Sequence, residues 1–225
     1  MPVSHARRCI FVHVPKTAGI SMMQALAPAG PFEYAGTGLV DLLADRADAA
    51  DLVAGWRRCF PVGTLSGFPQ QHLPAEILQA LLPAQTWRDY WKFAVVRNPW
   101  DLVVSTYFYQ RKRVLESPDA ATDDLSQVVA RCSTFAAFAR IYPALRSDMS
   151  SLLDTPDGGT MDFIARLEDL DRDMETIARR LEIPAALPSE NRSEHASYRE
   201  YYDDETRAIV AGHFARDIAR FGYAF

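Results

Sequence analysis

The chain of 225 residues is short of the features that mark several protein classes. It holds three cysteines, Cys9, Cys59 and Cys132. They are too few and too widely spaced for a disulfide scaffold, and they match no metal-ligand pattern. Reduced thiols in a cytoplasmic protein are the simplest account. No apolar run approaches the roughly 20 residues of a transmembrane helix. The N-terminus has no apolar stretch long enough for a secretory leader. Positive charge is not in excess: 24 Lys and Arg face 29 Asp and Glu, for a net charge of −5. No global basic field attracts polyanions, so nucleic acid is not an expected partner. There is no internal repeat and no low-complexity tract. The glycine-rich phosphate loop G-x-x-x-x-G-K-[ST] is also missing.

What is present suits one domain spanning residues 1–225. A hydrophobic content of 48% can bury a large core. Strands alternate with helices, which argues for a layered α/β fold. Strands are expected at 10–14, 62–66 and 93–96. Helices are expected at 40–54, 74–82, 134–142, 170–181 and 203–220, with another after Asn98. Asp157-Gly158-Gly159 suggests a hairpin between 151–155 and 161–165. Loops are expected at 27–37, 116–124 and 184–197. Trp87, Tyr90, Trp91 and Trp100 read as core or sheet-flanking aromatics. Arg111, Lys112 and Arg113 read as a solvated helix end.

Two segments carry chemistry. In the first, I-F-V-H-V-P-K-T-A-G-I-S at 10–21, an apolar, β-branched run leads to Pro15, which cannot donate a ladder hydrogen bond. Lys16, Thr17, Gly19 and Ser21 then make a small, hydroxyl-rich turn opening a helix near Ser21, whose hydroxyl can cap it. Such a turn aims backbone N–H groups, a helix N-terminus and one lysine at one spot, which suits a phosphate or sulfate group. Lys16 precedes Gly19, so it enters from the strand side, unlike the lysine of an ordinary P-loop. The plainer alternative is a capped strand–turn–helix with a solvated lysine.

The second segment is K-F-A-V-V-R-N-P-W-D-L-V-V-S-T-Y-F-Y-Q at 92–110. Arg97 ends a buried strand, Asn98 can cap the next helix, and Pro99 suits its first turn. Val103, Val104 and Tyr107 form that helix's apolar face, with Ser105 about two turns in. Arg97 and Ser105 make a second anion site. In open α/β sheets ligands bind at the carboxyl ends of strands, where both segments lie. Two anion sites imply a ligand with two separated anionic groups.

V-P-K-T-A-G-I-S and V-V-R-N-P-W-D-L-V-V-S resemble the two nucleotide-binding signatures of sulfotransferases, and are most similar to the carbohydrate-type sulfotransferase family 2. F-I-A-R-L-E-D-L at 163–170, the segment 191–202 and D-I-A-R-F-G-Y-A-F at 217–225 are similar to that group's ending. The resemblance implies a three-layer P-loop-NTPase-like fold, with a central, mainly parallel sheet flanked by helices. It implies transfer of a sulfuryl group from 3'-phosphoadenosine 5'-phosphosulfate (PAPS), leaving PAP, to a hydroxyl of a carbohydrate or small glycosylated metabolite. Pro15, Lys16, Thr17, Ala18, Gly19, Ile20 and Ser21 would hold the 5'-phosphosulfate, with Lys16 at the leaving oxygen. Arg97 and Ser105 would hold the 3'-phosphate. Asn191, Arg192 and Ser193 would close over the adenine or the 3'-phosphate end. No metal is required, since fixed donors can carry the charge.

The acceptor hydroxyl needs a general base. The family commonly has a histidine after a glycine in the region of S-G-F-P-Q-Q-H-L-P-A, but here Phe68 follows Gly67. His72, a few residues later, is the candidate base; the alternative is a helix-start histidine bonded to backbone. His13, inside the first strand, reads as a packing residue, and His195 as part of a nucleotide-covering loop. Ile20 stands where Thr or Ser is frequent and Leu102 where Arg is frequent. With Phe68, these departures leave open a weakened or inactive member, a noncatalytic nucleotide-binding protein of the sulfotransferase fold. The other rival is a P-loop-like small-molecule kinase, which would need Mg²⁺ and a lysine after the glycine; that lysine is missing.

Overall fold

Among the described residues, four strands make one sheet in the order β1-β2-β3-β4: β1 (Val3–Ser4), β2 (Cys9–Val12), β3 (Trp91–Val96) and β4 (Phe163–Arg166). β1 pairs antiparallel with β2, while β2, β3 and β4 run parallel. The computed structural model describes residues 3–32, 42–62, 72–117, 119, 123–159, 161–187 and 196–225. These fall into two compact units interleaved along the chain. The first is Met1–Trp56, Pro69–Arg97 and Ser151–Arg192; the second is Arg57–Phe68, Asn98–Ser150 and Ser193–Phe225.

The first unit carries the sheet. Ile10, Phe11, Val12 and all of 93–96 are fully buried, so both faces of the sheet are covered. This is why these strands read as continuous apolar runs rather than alternating ones. Helix α1 (Gly19–Leu26) contributes Met22, Ala25 and Leu26 to the core around Phe11, Phe93, Val95 and Ala165. Met174, Ile177 and Leu181 join it from the helix at Leu170–Leu181, whose bounds match the expected span. The mainly parallel sheet flanked by helices is the α/β architecture the sequence implied. Between β2 and β3 lie α2 (Ala49–Cys59), α3 (Ala75–Leu81) and α4 (Ala84–Asp89). Of the helix expected at 40–54, residues 42–43 and 49–54 are helical and 44–48 form turns between them, while 40–41 lie outside the described residues. Arg46 folds back on Asp48 through two bonds of 2.8 and 2.7 Å just ahead of α2. Most of the expected strand at 62–66 lies outside the described residues.

The second unit is helical. α5 (Pro99–Glu116) starts as its sequence dictates: Asn98 accepts hydrogen bonds from the N–H groups of Trp100 and Asp101, and Pro99 fills the first helical position. Val103, Val104 and Tyr107 are buried along it, and Tyr107 meets the rings of Phe135 and Phe138. α6 (Asp124–Arg131) and α7 (Phe135–Ile141) follow, capped by Asp123 and Thr134. The basic cluster finds partners within this unit. Arg111 donates to the Tyr107 hydroxyl at 2.7 Å, and Arg113 pairs with Asp123 at 2.7 Å.

Two expected elements differ from the structure. The described residues of 151–165 form no hairpin, because Met149–Leu153 is a helix, α8. The buried Asp217 carboxylate accepts from the N–H groups of Met149 and Ser150 at 2.7 and 2.8 Å, so the first turn of α8 has its donors satisfied. Asp157 instead closes a local turn, accepting from Thr155 Oγ1 and Gly159 N, and β4 then pairs parallel with β3. After α9 (Leu170–Leu181), the last expected helix is two: α10 (Asp204–His213) and α11 (Ala215–Phe221). Phe214 breaks them apart at φ −98°, ψ 20°, with its ring buried against Tyr142. The break lies three residues before Asp217, the residue that serves α8.

Candidate active site

The connection from β2 to α1 is a tight loop at the carboxyl end of a parallel strand. Lys16 and Ala18 both sit in the left-handed region, at φ 66° and 60°. For residues with a side chain that conformation costs about 1–2 kcal/mol each. Bonds from three residues help to hold it. Thr17, fully buried, donates its hydroxyl to Val14 O at 2.8 Å. Arg97 Nη1 donates to Lys16 O at 3.0 Å. Met22 N donates to Ala18 O at 2.9 Å. Left-handed residues alternating with ordinary backbone turn successive N–H groups toward one point, a concavity fit for an anion.

This geometry changes the expected start of α1. Ala18, not Ser21, occupies the N-cap position, with no side-chain cap bond. The left-handed kink begins the helix two residues early, and Ser21 becomes a buried residue of its first turn. Ile20 projects from that turn with 57% of its surface exposed.

Gly19 is glycine because of His13. A Cβ on Gly19 would stand 1.6 Å from His13 Nε2, so the imidazole lies directly under the loop. His13 is 4% exposed, and its Nδ1 has no hydrogen-bond partner among the described residues. Burial, then the neighbouring His72, pushes its pKa well below the usual histidine value, so the ring is neutral. His13 was legible as a packing residue. Its contact with Gly19 was not, because it depends on how the loop folds back over the strand end.

Lys16 is pushed down to about 8, first by burial and then by the charge of Arg97. Two cations held this close in a desolvated place favour an anion between or beside them. Arg97, 7% exposed, follows the last residue of β3 as the loop follows β2. Because β2 and β3 are neighbours, with Val12 opposite Ala94, both groups emerge at the same edge.

His72 joins this group. Its Nδ1 lies 3.0 Å from His13 O, and the two rings are 4.2 Å apart. A carbonyl can only accept, so Nδ1 carries the hydrogen, and in its neutral form the ring has its lone pair on Nε2. The backbone bond is the one the plainer reading of His72 expected. It also sets the tautomer a general base would use. The structure thus brings together Pro15, Lys16, Thr17, Ala18, Gly19, Arg97, His13 and His72. Ser105 lies in α5 of the second unit and is 3% exposed. Asn191, Arg192, Ser193 and His195 lie outside the described residues, as do Gly67 and Phe68.

A strand–loop–helix whose loop concentrates N–H groups and a lysine, beside an arginine at the next parallel strand's end, is an α/β arrangement of P-loop-like fold with a concavity fit for an anionic group. The chain belongs to the sulfotransferase family, whose pattern it matches over residues 2–224. No curated protein and no solved structure matches the chain.

Proposed function

We propose that this sulfotransferase takes its sulfuryl group from PAPS and delivers it to a hydroxyl of a carbohydrate or small glycosylated metabolite, in a cytoplasmic setting. The observation that carries the reading is the desolvated pair of Lys16, on the left-handed loop, and Arg97, at the end of β3. The residues fit the donor's chemistry: the loop offers N–H groups and one ammonium to a phosphosulfate, and a guanidinium has five donors, enough to serve a carbonyl and a phosphate at once. When bound, the donor supplies an activated sulfuryl group. The chain's residues do the rest. Lys16 and the loop N–H groups stabilise charge developing on the leaving phosphate. His72, with its lone pair on Nε2, takes the proton of the acceptor hydroxyl. Among the described residues no helix is long and apolar enough to cross a membrane.

The test is a thermal melt with PAP, PAPS and Mg-ATP, followed by sulfate transfer from PAPS across a panel of sugar and glycoside acceptors. PAP and PAPS should raise the melting temperature and transfer should follow. A shift with Mg-ATP and none with PAP would instead identify a kinase. Binding without transfer to any acceptor would identify a noncatalytic member.

A further inference from the structure

We propose that Arg97 is a positioning residue for the anion loop as well as an anion ligand, so that loss of its side chain weakens ligands that carry no 3'-phosphate at all. This rests on the donor reading above. The observations are geometric. Arg97 Nη1 donates to Lys16 O at 3.0 Å, across a sequence separation of 81 residues. Lys16 is not glycine yet has φ 66°, and Ala18 follows at φ 60°. A left-handed residue with a side chain persists only where its surroundings over-determine it.

Each of the other holds fixes a different point. Thr17 Oγ1 ties the loop to Val14 O, and Met22 N takes Ala18 O into the first turn of α1. His13 sets the height of Gly19. The bond from Arg97 falls on the peptide that follows Lys16, the one whose N–H belongs to Thr17. Orienting that carbonyl toward Arg97 orients the Thr17 N–H the opposite way, because the peptide is planar and trans. Arg97 therefore sets the direction of one donor of the concavity. Its charge also sits close enough to Lys16 to lower that lysine's pKa.

The consequence is coupling between the two anion sites. A residue that only met a 3'-phosphate would be indifferent to AMP, whose single phosphate belongs in the loop. A residue that holds the loop is not. We would measure PAP and AMP affinity by calorimetry for the wild type, Arg97→Lys and Arg97→Gln. Hydrogen exchange of the peptide covering 14–20 would be followed in the ligand-free proteins. Far-UV dichroism and melts would check the fold, and Arg97→Lys keeps the charge should Arg97→Gln not fold. The expected result is that both variants lose AMP affinity by about tenfold, the size of one hydrogen bond to a charged group. They should lose more with PAP, and exchange at 14–20 should quicken. Weakened PAP with unchanged AMP overturns the proposal and leaves Arg97 a 3'-phosphate ligand only. If neither nucleotide binds the wild type, the donor reading fails. Exchange then decides the positioning role by itself: faster supports it, unchanged overturns it.

Discussion

At the scale of single residues the site is governed by burial. Lys16 titrates near 8 rather than at its ordinary 10.5, because burial and Arg97 disfavour the ammonium. An anion binds the ammonium, so above about pH 8 binding must also take up a proton. PAP affinity should be flat from about pH 7, where its phosphates are fully ionised, to about pH 8, and then fall up to about tenfold per pH unit. The sign for folding is opposite. A lysine whose folded pKa is depressed destabilises the ligand-free protein below about pH 8, and that cost fades as pH rises toward 10.5. Lys16→Met should abolish the pH dependence of PAP binding seen by calorimetry, and Lys16→Ala should abolish turnover while the dichroism spectrum is unchanged. His72→Ala should lower kcat by about 10²–10⁴-fold with PAP affinity nearly constant. An unaltered rate removes His72 from the mechanism. Cys9, pushed up to about 11 by burial, stays a thiol and takes no part.

At the scale of elements, the loop and the strand beneath it act as one piece. Gly19→Ala should lose PAP binding, because its Cβ has no room above the His13 ring. His13→Ala placed on top of it should recover a measurable part of the affinity. A double variant as inert as Gly19→Ala would show that the two residues are not a matched pair. In the second unit, Asn98 caps α5 by accepting from two N–H groups, and its Nδ2 donates to Ala224 O at 2.9 Å, tying the start of α5 to the C-terminal segment. Asn98→Ala should cost about 1–2 kcal/mol in urea unfolding. How far such features could be read in advance depended on whether their cause was local. The Asn98 cap, the Pro99 start, the buried strands and the span of α9 follow from neighbours in sequence, and each was legible. Ser21 was misplaced because the left-handed turn at Ala18 is held by contacts with Arg97 and Val14, not by any local preference of alanine. The hairpin expected at 151–165 failed because Asp217, 67 residues away, satisfies the start of α8. The long helix at 203–220 broke because a buried Phe214 and the cap supplied by Asp217 outweighed its continuous helical pattern.

At the scale of the whole molecule, the charge balance sets partners. With a net charge of −5 and a pI near 5.5, the protein should bind an anion exchanger at pH 7 and pass through a heparin column in low salt. Retention on heparin would reveal a local basic surface that the net charge conceals, and would move the expected acceptor toward sulfated glycans. Ligand binding is also a global quantity. PAP at a hundred times its Kd should stabilise the folded chain by about 2.7 kcal/mol, which for a protein of this size is a rise of roughly 5–10 °C in Tm.

The left-handed alanine of the anion loop has a use in protein engineering. Ala18 holds a backbone conformation that glycine adopts without cost, and it does so in the residue that opens α1. Ala18→Gly relieves that strain and should raise thermal stability by about 1 kcal/mol. It also gives the loop other conformations to visit once the ligand has left. A stabilised variant obtained this way should therefore hold its nucleotide less tightly than the parent. A screen that selected on heat resistance alone would drift away from catalysis at this position.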